Sequence, residues 1–482
     1  MGVIEKVVAV ADVPLVVDLD GTLIKTDMLT EGMLRSLLLR PMTLLSLPGW
    51  LAAGKANLKL KLAQEGSVDV DSLPYNEDML EYCKEERNRG RRIYLATAAN
   101  RTLAEAVARK VGLFDAVFAS DDRTNLAGSQ KAERLCAEFG ERGFDYAGDA
   151  VADLPVWERA NRIIGVNCDA RFAHQIQGAY PDAQFIGNRA GRLRMLVRAM
   201  RIHQWAKNAL LFVPAIAAHA ISAESIAASI LGFLAFSLVA SSVYLVNDLV
   251  DLNSDRAHPT KRHRPFASGD LPLVTAAWLV PLLLATGFGL AAFLSWQFVG
   301  VLAGYLGLTF AYSLWLKRKM LVDMLVLGGL YTLRIVAGAV AIGVTISPWL
   351  LGFSLFLFLA LAIIKRYTEL QRMISMKQAA PSGRGYQLAD MPILGALGAA
   401  SSFSSVVIFS LYINSPAVIP LYRSPGLLWL VCPLLIYWTS RLLMLAHRGH
   451  MHDDPMVFAL KDRVSLSTIA LSTAVIAAAA MV

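Results

Sequence analysis

From about residue 207 to the C-terminus the chain is a succession of apolar segments, at roughly 207–222, 226–248, 273–294, 297–315, 321–343, 347–365, 391–412, 425–445 and 464–481. Most approach the ~20 residues that a helix needs to cross the hydrocarbon core of a bilayer. The implied architecture is an all-α membrane bundle of about nine transmembrane helices. Residues before about 200 lack such segments and read as soluble, so a chain of 482 residues with 55% hydrophobic content divides in two.

A formal charge of +8 raises the question of nucleic acid, and the placement of the cations answers it. Arg256, Lys261, Arg262 and Arg264 follow the second apolar segment, and Lys317, Arg318 and Lys319 the fourth. Lys365, Arg366, Arg372, Lys377 and Arg384 follow the sixth, and Arg448, Lys461 and Arg463 the eighth, while the alternate loops carry almost nothing beyond Arg423. Such alternation obeys the positive-inside rule for a plasma (inner) membrane protein and puts the N-terminal part on the cytoplasmic side. Nucleic acid is excluded as a partner; the bilayer is implied. Met1 to Ala11 mixes Glu5 and Lys6 into a short apolar run and does not read as a secretory signal. Cys83, Cys136, Cys168 and Cys432 show neither metal-ligand nor paired spacing.

The densest chemistry lies in Tyr244 to Gly269, YLVNDLVDLNSDRAHPTKRHRPFASG. If the helix of 226–248 continues, Asn247, Asp251 and Asp255 share one stripe at i, i+4 and i+8, with Asp248 beside them. Hard oxygen donors in this pattern suit Mg²⁺, which takes a few carboxylates together with phosphate oxygens. Arg256, Lys261, Arg262 and Arg264 then follow as partners for the phosphates such an ion would bridge. The combination describes a diphosphate site; a juxtamembrane loop with basic residues on anionic lipid is the plainer alternative.

In the soluble part, the apolar run 13–17 ends in Asp18-Leu-Asp20-Gly21-Thr22, two carboxylates at the tip of a buried strand, where α/β sheets bind ligands. A run from Arg92 ends in Thr97, Lys131 opens a helical stretch, and a run from Phe144 ends in Gly148-Asp149 with Asp153 four residues on. Further strand runs lie at 163–166 and 184–186. Met28 to Trp50 and Lys55 to Ala63 read as helices of a cap over residues 27–85; Met33, Leu34, Leu37, Leu38, Leu44, Leu45 and Trp50 make it very apolar, as cap core or as a face on the bilayer. Asn188 to Arg201, with Arg189, Arg192, Arg194, Arg198 and Arg201, reads as a lipid-facing cationic connector.

These four motifs, in this order, resemble the haloacid-dehalogenase-type phosphohydrolases. The resemblance implies a Rossmann-like α/β domain at 1–187 with a helical cap. It implies Asp18 as a nucleophile forming an aspartyl-phosphate and Asp20 as general acid/base. Thr97 and Lys131 would hold phosphoryl oxygens, and Asp18, Asp20, Asp149 and Asp153 would form the Mg²⁺ site.

Beyond a linker at 188–204, residues 205–482 resemble the UbiA-type membrane transferases, on the QWAKN run at Gln204 to Asn208 and the Tyr244 block. Relatives that use prenyl diphosphates carry a second aspartate-rich cluster after the fourth span, whereas Tyr312 to Asp323 has Asp323 alone. The chain is more similar to a narrower branch, the decaprenyl-phosphate phosphoribosyltransferases, on QWAKN, NDLVDLNSDRAHPTKRHRPFASG, Tyr312-Ser313 with Lys317, Asp323, Leu333-Arg334, Ala337-Gly338 and Lys365-Arg366-Tyr367 with Glu369. That branch implies phosphoribosyl diphosphate and polyprenyl phosphate as substrates. Mg²⁺ would lie at Asn247 and Asp251 with Asp248 and Asp255 near, and Lys207, Asn208, Tyr244, Arg256, Lys261, Arg262, Arg264, Lys317, Asp323, Arg334, Lys365 and Arg366 would surround the substrates. The expectation is a bifunctional enzyme of arabinan precursor (cell-wall) synthesis. The alternatives are a prenyltransferase with an aromatic acceptor, or a soluble domain that only regulates; oligomeric state is left open.

Overall fold

A computed structural model describes residues 13–40, 42–52, 61–62, 68–121, 124–187, 191–375, 385–416, 418–451 and 454–482, with backbone only at Leu44, Leu45, Leu47, Leu51 and Ser375. The reading of Met1 to Ala11, most of the Lys55 to Ala63 helix, and Arg189, Lys377 and Arg384 lie outside the described residues. Contacts divide the chain into two compact units, Met1–Met200 with Tyr244–Leu279, and Arg201–Val243 with Val280–Val482. The first unit is therefore discontinuous and takes in the carboxylate stretch, which the expected division at 188–204 assigned to the membrane part.

The first unit is built on Leu15–Val17 (β1), Ile93–Asn100 (β2), Ala116–Ser120 (β3), Asp145–Gly148 (β4), Ile163–Val166 (β5) and Gln184–Ile186 (β6). All neighbours are parallel, in the order β3-β2-β1-β4-β5-β6. Alternation along β1 fills both faces: Leu15 and Val17 join one apolar cluster and Val16 the other. The sheet reverses direction at β1/β4, which sets the ends of these two strands beside an open crevice. Edge strand β3 is missing from the sequence reading; its outer end is exposed at Ala116 and half-buried at Val117 and Phe118.

The cap is not one helix from Met28 to Trp50. It forms Met28–Leu39, capped by the Asp27 side chain accepting from Thr30 N, and then Thr43–Ala52. Arg40 between them is extended (φ −140°, ψ 82°), as expected of a residue that precedes a proline. Met33, Leu34, Leu37 and Trp50 are half-buried, and Leu38, Leu39 and Met42 are exposed, so these side chains do not form a closed cap core. The cationic connector is partly helical, Arg192–Ala199, with Met195 and Ala199 buried.

Eight helices among the described residues are long and apolar enough to cross a membrane: Ala223–Val250, Val274–Leu294, Trp296–Leu314, Val322–Ile342, Pro348–Ile374, Leu388–Ile413, Pro425–His447 and Arg463–Met481. The expected span at 207–222 is not among them. It folds as an 11-residue 3-10 helix, Ile202–Phe212, and a five-residue α-helix, Val213–Ala217; Pro214 opens the second piece and His219, at φ 52°, follows its end. Within the second unit the 3-10 backbone lies directly on helix Val322–Ile342 at Gly338. A Cβ there would stand 2.1 Å from the Leu211 carbonyl oxygen, so only glycine permits the approach.

Candidate active sites

Asp18 follows β1 directly, its N–H donating to the Ala147 carbonyl of β4 at 3.0 Å. Lys131, on helix Ser129–Phe139, donates from Nζ to Asp18 Oδ1 at 2.9 Å and to the Tyr146 hydroxyl at 2.8 Å. Tyr146 donates onward to Asp153 Oδ1 at 2.9 Å, and Asp153 Oδ2 accepts the backbone N–H groups of Asp149 and Ala150 at 3.1 and 3.2 Å. Ligand oxygens of Asp18, Asp149 and Asp153 lie within 4.8 Å of one another. Three hard oxygen donors at that spacing fit a divalent cation of the Mg²⁺ type. Gly21, at φ +78°, is required here: a Cβ would stand 2.1 Å from Asp149 Oδ2.

Asp20 lies outside that triad and accepts the N–H of Met28, the first residue of the cap helix, at 2.9 Å. Burial, then the charges of Asp27 and Asp18, raise its carboxyl well above the usual range. Burial also lifts Asp18, to about 6; Lys131 pulls it down and Asp153 pushes it up. For Lys131, burial disfavours the charge but Asp18 and Asp153 outweigh it, so the ammonium is held. Thr97 is fully buried in β2, its hydroxyl accepting from Ala99 N at 2.9 Å. Asp18, Asp20, Lys131, Asp149 and Asp153 line a cavity of about 390 Å³ that Thr97 does not line. Lys25, Thr26 and Asp27 close one side, and Pro272, Leu273 and Val274 form an apolar wall that the sequence reading did not anticipate.

The carboxylate stretch, in the same unit, interrupts its helix at Asp251 yet keeps the helical stripe, because Asp251 N donates to Asn247 O and Asp255 N to Asp251 O, both at 2.9 Å. Asp248 and Asp255 are almost fully buried, and the Arg264 guanidinium ties them together, at 3.1 Å to Asp248 Oδ1 and in a close contact with Asp255 Oδ2. The remaining oxygen donors on the stripe are Asn247 and Asp251, both half-buried. Among the described residues the three aspartates 248, 251 and 255 do not reach the mutual closeness of the Asp18 triad. A carboxamide and a carboxylate one helical turn apart fit an ion whose other ligands are phosphate oxygens. Arg256 does not face open space: it pairs with Glu31 of the cap helix at 3.1 and 2.5 Å, with both side chains buried. Lys261 and Arg262 are exposed, Lys261 Nζ lying 3.9 Å from Asp255 Oδ1, and Tyr244 is half-buried.

In the second unit, Lys207 and Lys365 converge on Asp454 Oδ2, at 3.3 and 2.7 Å. Burial works against the Asp454 charge, but the two lysines hold its carboxyl well below the usual carboxylate range. Asn208 is buried and bridges Ser237 Oγ (2.9 Å) to Arg334 Nε (2.8 Å). Arg334 also meets the Leu330 carbonyl and Tyr305 hydroxyl, and sits over the rings of Phe236, Tyr305 and Tyr331 at 5.4, 5.2 and 5.3 Å. Arg366 is 1% exposed and donates to Asp323 Oδ2 (2.6 Å), both Glu369 oxygens (2.8 and 2.7 Å) and Tyr312 OH (2.8 Å). Tyr386 donates to the other oxygen of Asp323, which is fully buried. Lys317 is half-buried in the short turn Leu316–Arg318.

A parallel sheet with a carboxylate cluster at its switch point, in a chain whose described residues include eight membrane-length helices, defines a multi-pass membrane protein carrying a hydrolase-type α/β domain. Residues 210–481 match the UbiA prenyltransferase family and residues 15–158 the haloacid dehalogenase-like hydrolases. The chain belongs to the UbiA prenyltransferase family and joins to it a haloacid dehalogenase-like hydrolase domain. Uncharacterized protein y4nM of Sinorhizobium fredii is 40% identical over 457 residues, 94% of this chain and 88% of the relative. Nodulation protein NoeC of Azorhizobium caulinodans is 36% identical over 277 residues, 56% of this chain and 88% of the relative. Decaprenyl-phosphate phosphoribosyltransferase of Mycolicibacterium smegmatis is 37% identical over 181 residues, 36% of this chain and 57% of the relative. A transferase-family domain and a hydrolase-family domain in one chain support an enzyme.

Proposed function

We propose that the protein is a bifunctional membrane enzyme that transfers 5-phosphoribose from phosphoribosyl diphosphate to polyprenyl phosphate and hydrolyses a phosphate monoester in its α/β domain. The observation that carries the choice of donor is the state of Asp323. It is the one aspartate between Tyr312 and Asp323, where prenyl-diphosphate users would have a cluster, and Arg366 and Tyr386 occupy both of its oxygens. Between Tyr312 and Asp323 a second metal site would have only Asp323, which these two partners already hold. The likeness to decaprenyl-phosphate phosphoribosyltransferase supports the same choice.

For the transfer, Asn247 and Asp251 would hold Mg²⁺, which when bound draws charge off a departing diphosphate. Arg264 keeps Asp248 and Asp255 from repelling the anionic donor. Lys261 and Arg262 are exposed cations for its phosphates. The acceptor phosphate is already an anion at neutral pH, so positioning and charge balance suffice without a strong base. Loops rich in Lys and Arg support a cytoplasmic position for this face.

For the hydrolysis, Asp18 and Asp149 would hold Mg²⁺, with Asp153 fixed behind them. Asp18 is the nucleophile toward phosphorus, and Lys131 pairs with it and screens the incoming phosphate. Asp20, whose carboxyl burial raises above the usual range, gives a proton to the leaving oxygen as its bond to phosphorus breaks, and then takes one from the water that cleaves the aspartyl-phosphate. The apolar wall Pro272–Val274, which leads into the membrane-length helix Val274–Leu294, favours a lipid-borne ester, the 5-phosphate of the transferase product. Purified protein given labelled phosphoribosyl diphosphate and polyprenyl phosphate tests the reading. Labelled lipid should form only with Mg²⁺; formation of product instead from a prenyl diphosphate and an aromatic acceptor would replace it.

A further inference from the structure

The apolar surface of the cap has no use in either proposed chemistry. Leu38, Leu39 and Met42 are 43%, 59% and 74% exposed at and just past the end of the cap helix Met28–Leu39, and Arg40 among them is exposed as well. From Pro41 to Gly54 the chain carries no charged residue. Within that stretch the helix Thr43–Ala52 has Ser46, Pro48, Gly49 and Ala52 at the surface. Exposed apolar side chains grouped in this way mark a surface that something covers.

The first unit itself shows what lies beside this surface. Leu34 and Leu38 border a cavity of about 310 Å³ together with Leu249 and Val250, the last residues of the membrane-length helix Ala223–Val250. At the other end of the cap helix, Asp27 and Thr30 border the Asp18 cavity together with Leu273 and Val274, where the membrane-length helix Val274–Leu294 begins. The buried Glu31–Arg256 pair ties down the middle. The cap helix is thus bracketed by the ends of two membrane-length helices, the level at which hydrocarbon gives way to headgroups. Val250, Val274 and Trp278 on those two ends are exposed, and tryptophan is a common anchor at that level. At ten residues, about 15 Å, Thr43–Ala52 is too short to cross a core of ~30 Å, so an uncharged helix of this length can meet lipid only at the interface. Arg40 supplies a cation for anionic headgroups.

We propose that Leu38, Leu39 and Met42, with the helix Thr43–Ala52, dip into the headgroup region of the bilayer, so that the cap of the hydrolase domain is a lipid-binding surface. The partner is the membrane that holds the chain's own spans, and the proposal does not depend on the identity of either substrate. Full-length protein is reconstituted in nanodiscs of phosphatidylcholine and phosphatidylglycerol. It carries Cys136→Ser, because Cys83, Cys168 and Cys432 are buried and Cys136 is only half-buried. A nitroxide is attached at Met42→Cys and at two reference sites, Lys84→Cys, exposed on the helix Glu77–Asn88, and Leu282→Cys, exposed on the helix Val274–Leu294. Its relaxation by oxygen and by a water-soluble nickel chelate is then read. The Met42 label should lose the nickel relaxation seen at Lys84 and keep the oxygen relaxation seen at Leu282. Nickel relaxation equal to that at Lys84 overturns the proposal, and so does a label closed to both reagents, which shows that protein covers the site. Hydrolysis of p-nitrophenyl phosphate checks that each labelled variant is folded; should Met42→Cys fail it, Leu39→Cys is read by the same criteria.

Discussion

The cations of the stretch between Tyr244 and Gly269 look alike in sequence and do different things in the fold. Arg256 is buried on Glu31, Arg264 clamps Asp248 to Asp255, and Lys261 and Arg262 remain at the surface. Replacing them should therefore give different results. Lys261→Ala removes one charge-assisted contact to the donor and should raise the KM for phosphoribosyl diphosphate by about ten- to a hundredfold with little change in thermal unfolding; an unchanged KM would assign Lys261 to the membrane surface. Arg256→Ala leaves the Glu31 carboxylate buried and unpaired, and should cost about 3–5 kcal/mol of stability, read as a lower unfolding temperature. At Gly21 the argument is steric. A methyl 2.1 Å from Asp149 Oδ2 must displace that carboxylate, and a shift of about 1 Å at a catalytic group costs on the order of a hundredfold, so Gly21→Ala should lower kcat/KM for phosphate-ester hydrolysis to that extent while the transferase keeps its rate.

At the scale of elements, what was legible in the sequence was what repeats or ends abruptly. Apolar β-branched runs closing on Asp18 and on Gly148-Asp149 marked β1 and β4, and twenty-residue apolar runs marked eight helices. Hidden were features set by partners far along the chain. Nothing near Arg366 announces Asp323, 43 residues earlier, or near Asp323 announces Tyr386, 63 residues later. The segment 207–222 misled because composition reports burial, while Pro214 and the close approach at Gly338 decide that it folds as two short helices. Asp454 is of the same kind: it looks like a loop acid but carries Lys207 and Lys365. Its folded carboxyl titrates below its unfolded value of about 4, so its stabilisation is complete above that pH and is lost only as pH falls toward the folded value. Asp454→Asn should lower the unfolding temperature equally at pH 7 and pH 5; a deficit that vanishes at pH 5 would show that the two lysines do not govern this carboxyl.

At the scale of the whole molecule, the two proposed chemistries draw on separate nucleophiles and separate carboxylates, so they should be separable by single substitutions. Asp251→Ala removes a carboxylate that does not line the Asp18 cavity, and should abolish lipid-linked ribose formation while hydrolysis of a small phosphate ester continues. Asp18→Asn should do the converse. The amide keeps the carboxylate's shape and an oxygen for Lys131, but it cannot form the aspartyl-phosphate, and the residues assigned to the transferase all lie beyond residue 200. Given the same donor and acceptor, the wild type should release a ribosyl lipid without its 5-phosphate, whereas Asp18→Asn should accumulate the phosphorylated lipid, a difference of one phosphate in the mass spectrum. Joining the two activities in one chain then raises the effective concentration of the intermediate at the second site. If both proteins release the phosphorylated lipid, the hydrolase domain acts on a different ester, and the apolar wall at Pro272–Val274 must serve some other membrane-borne phosphate.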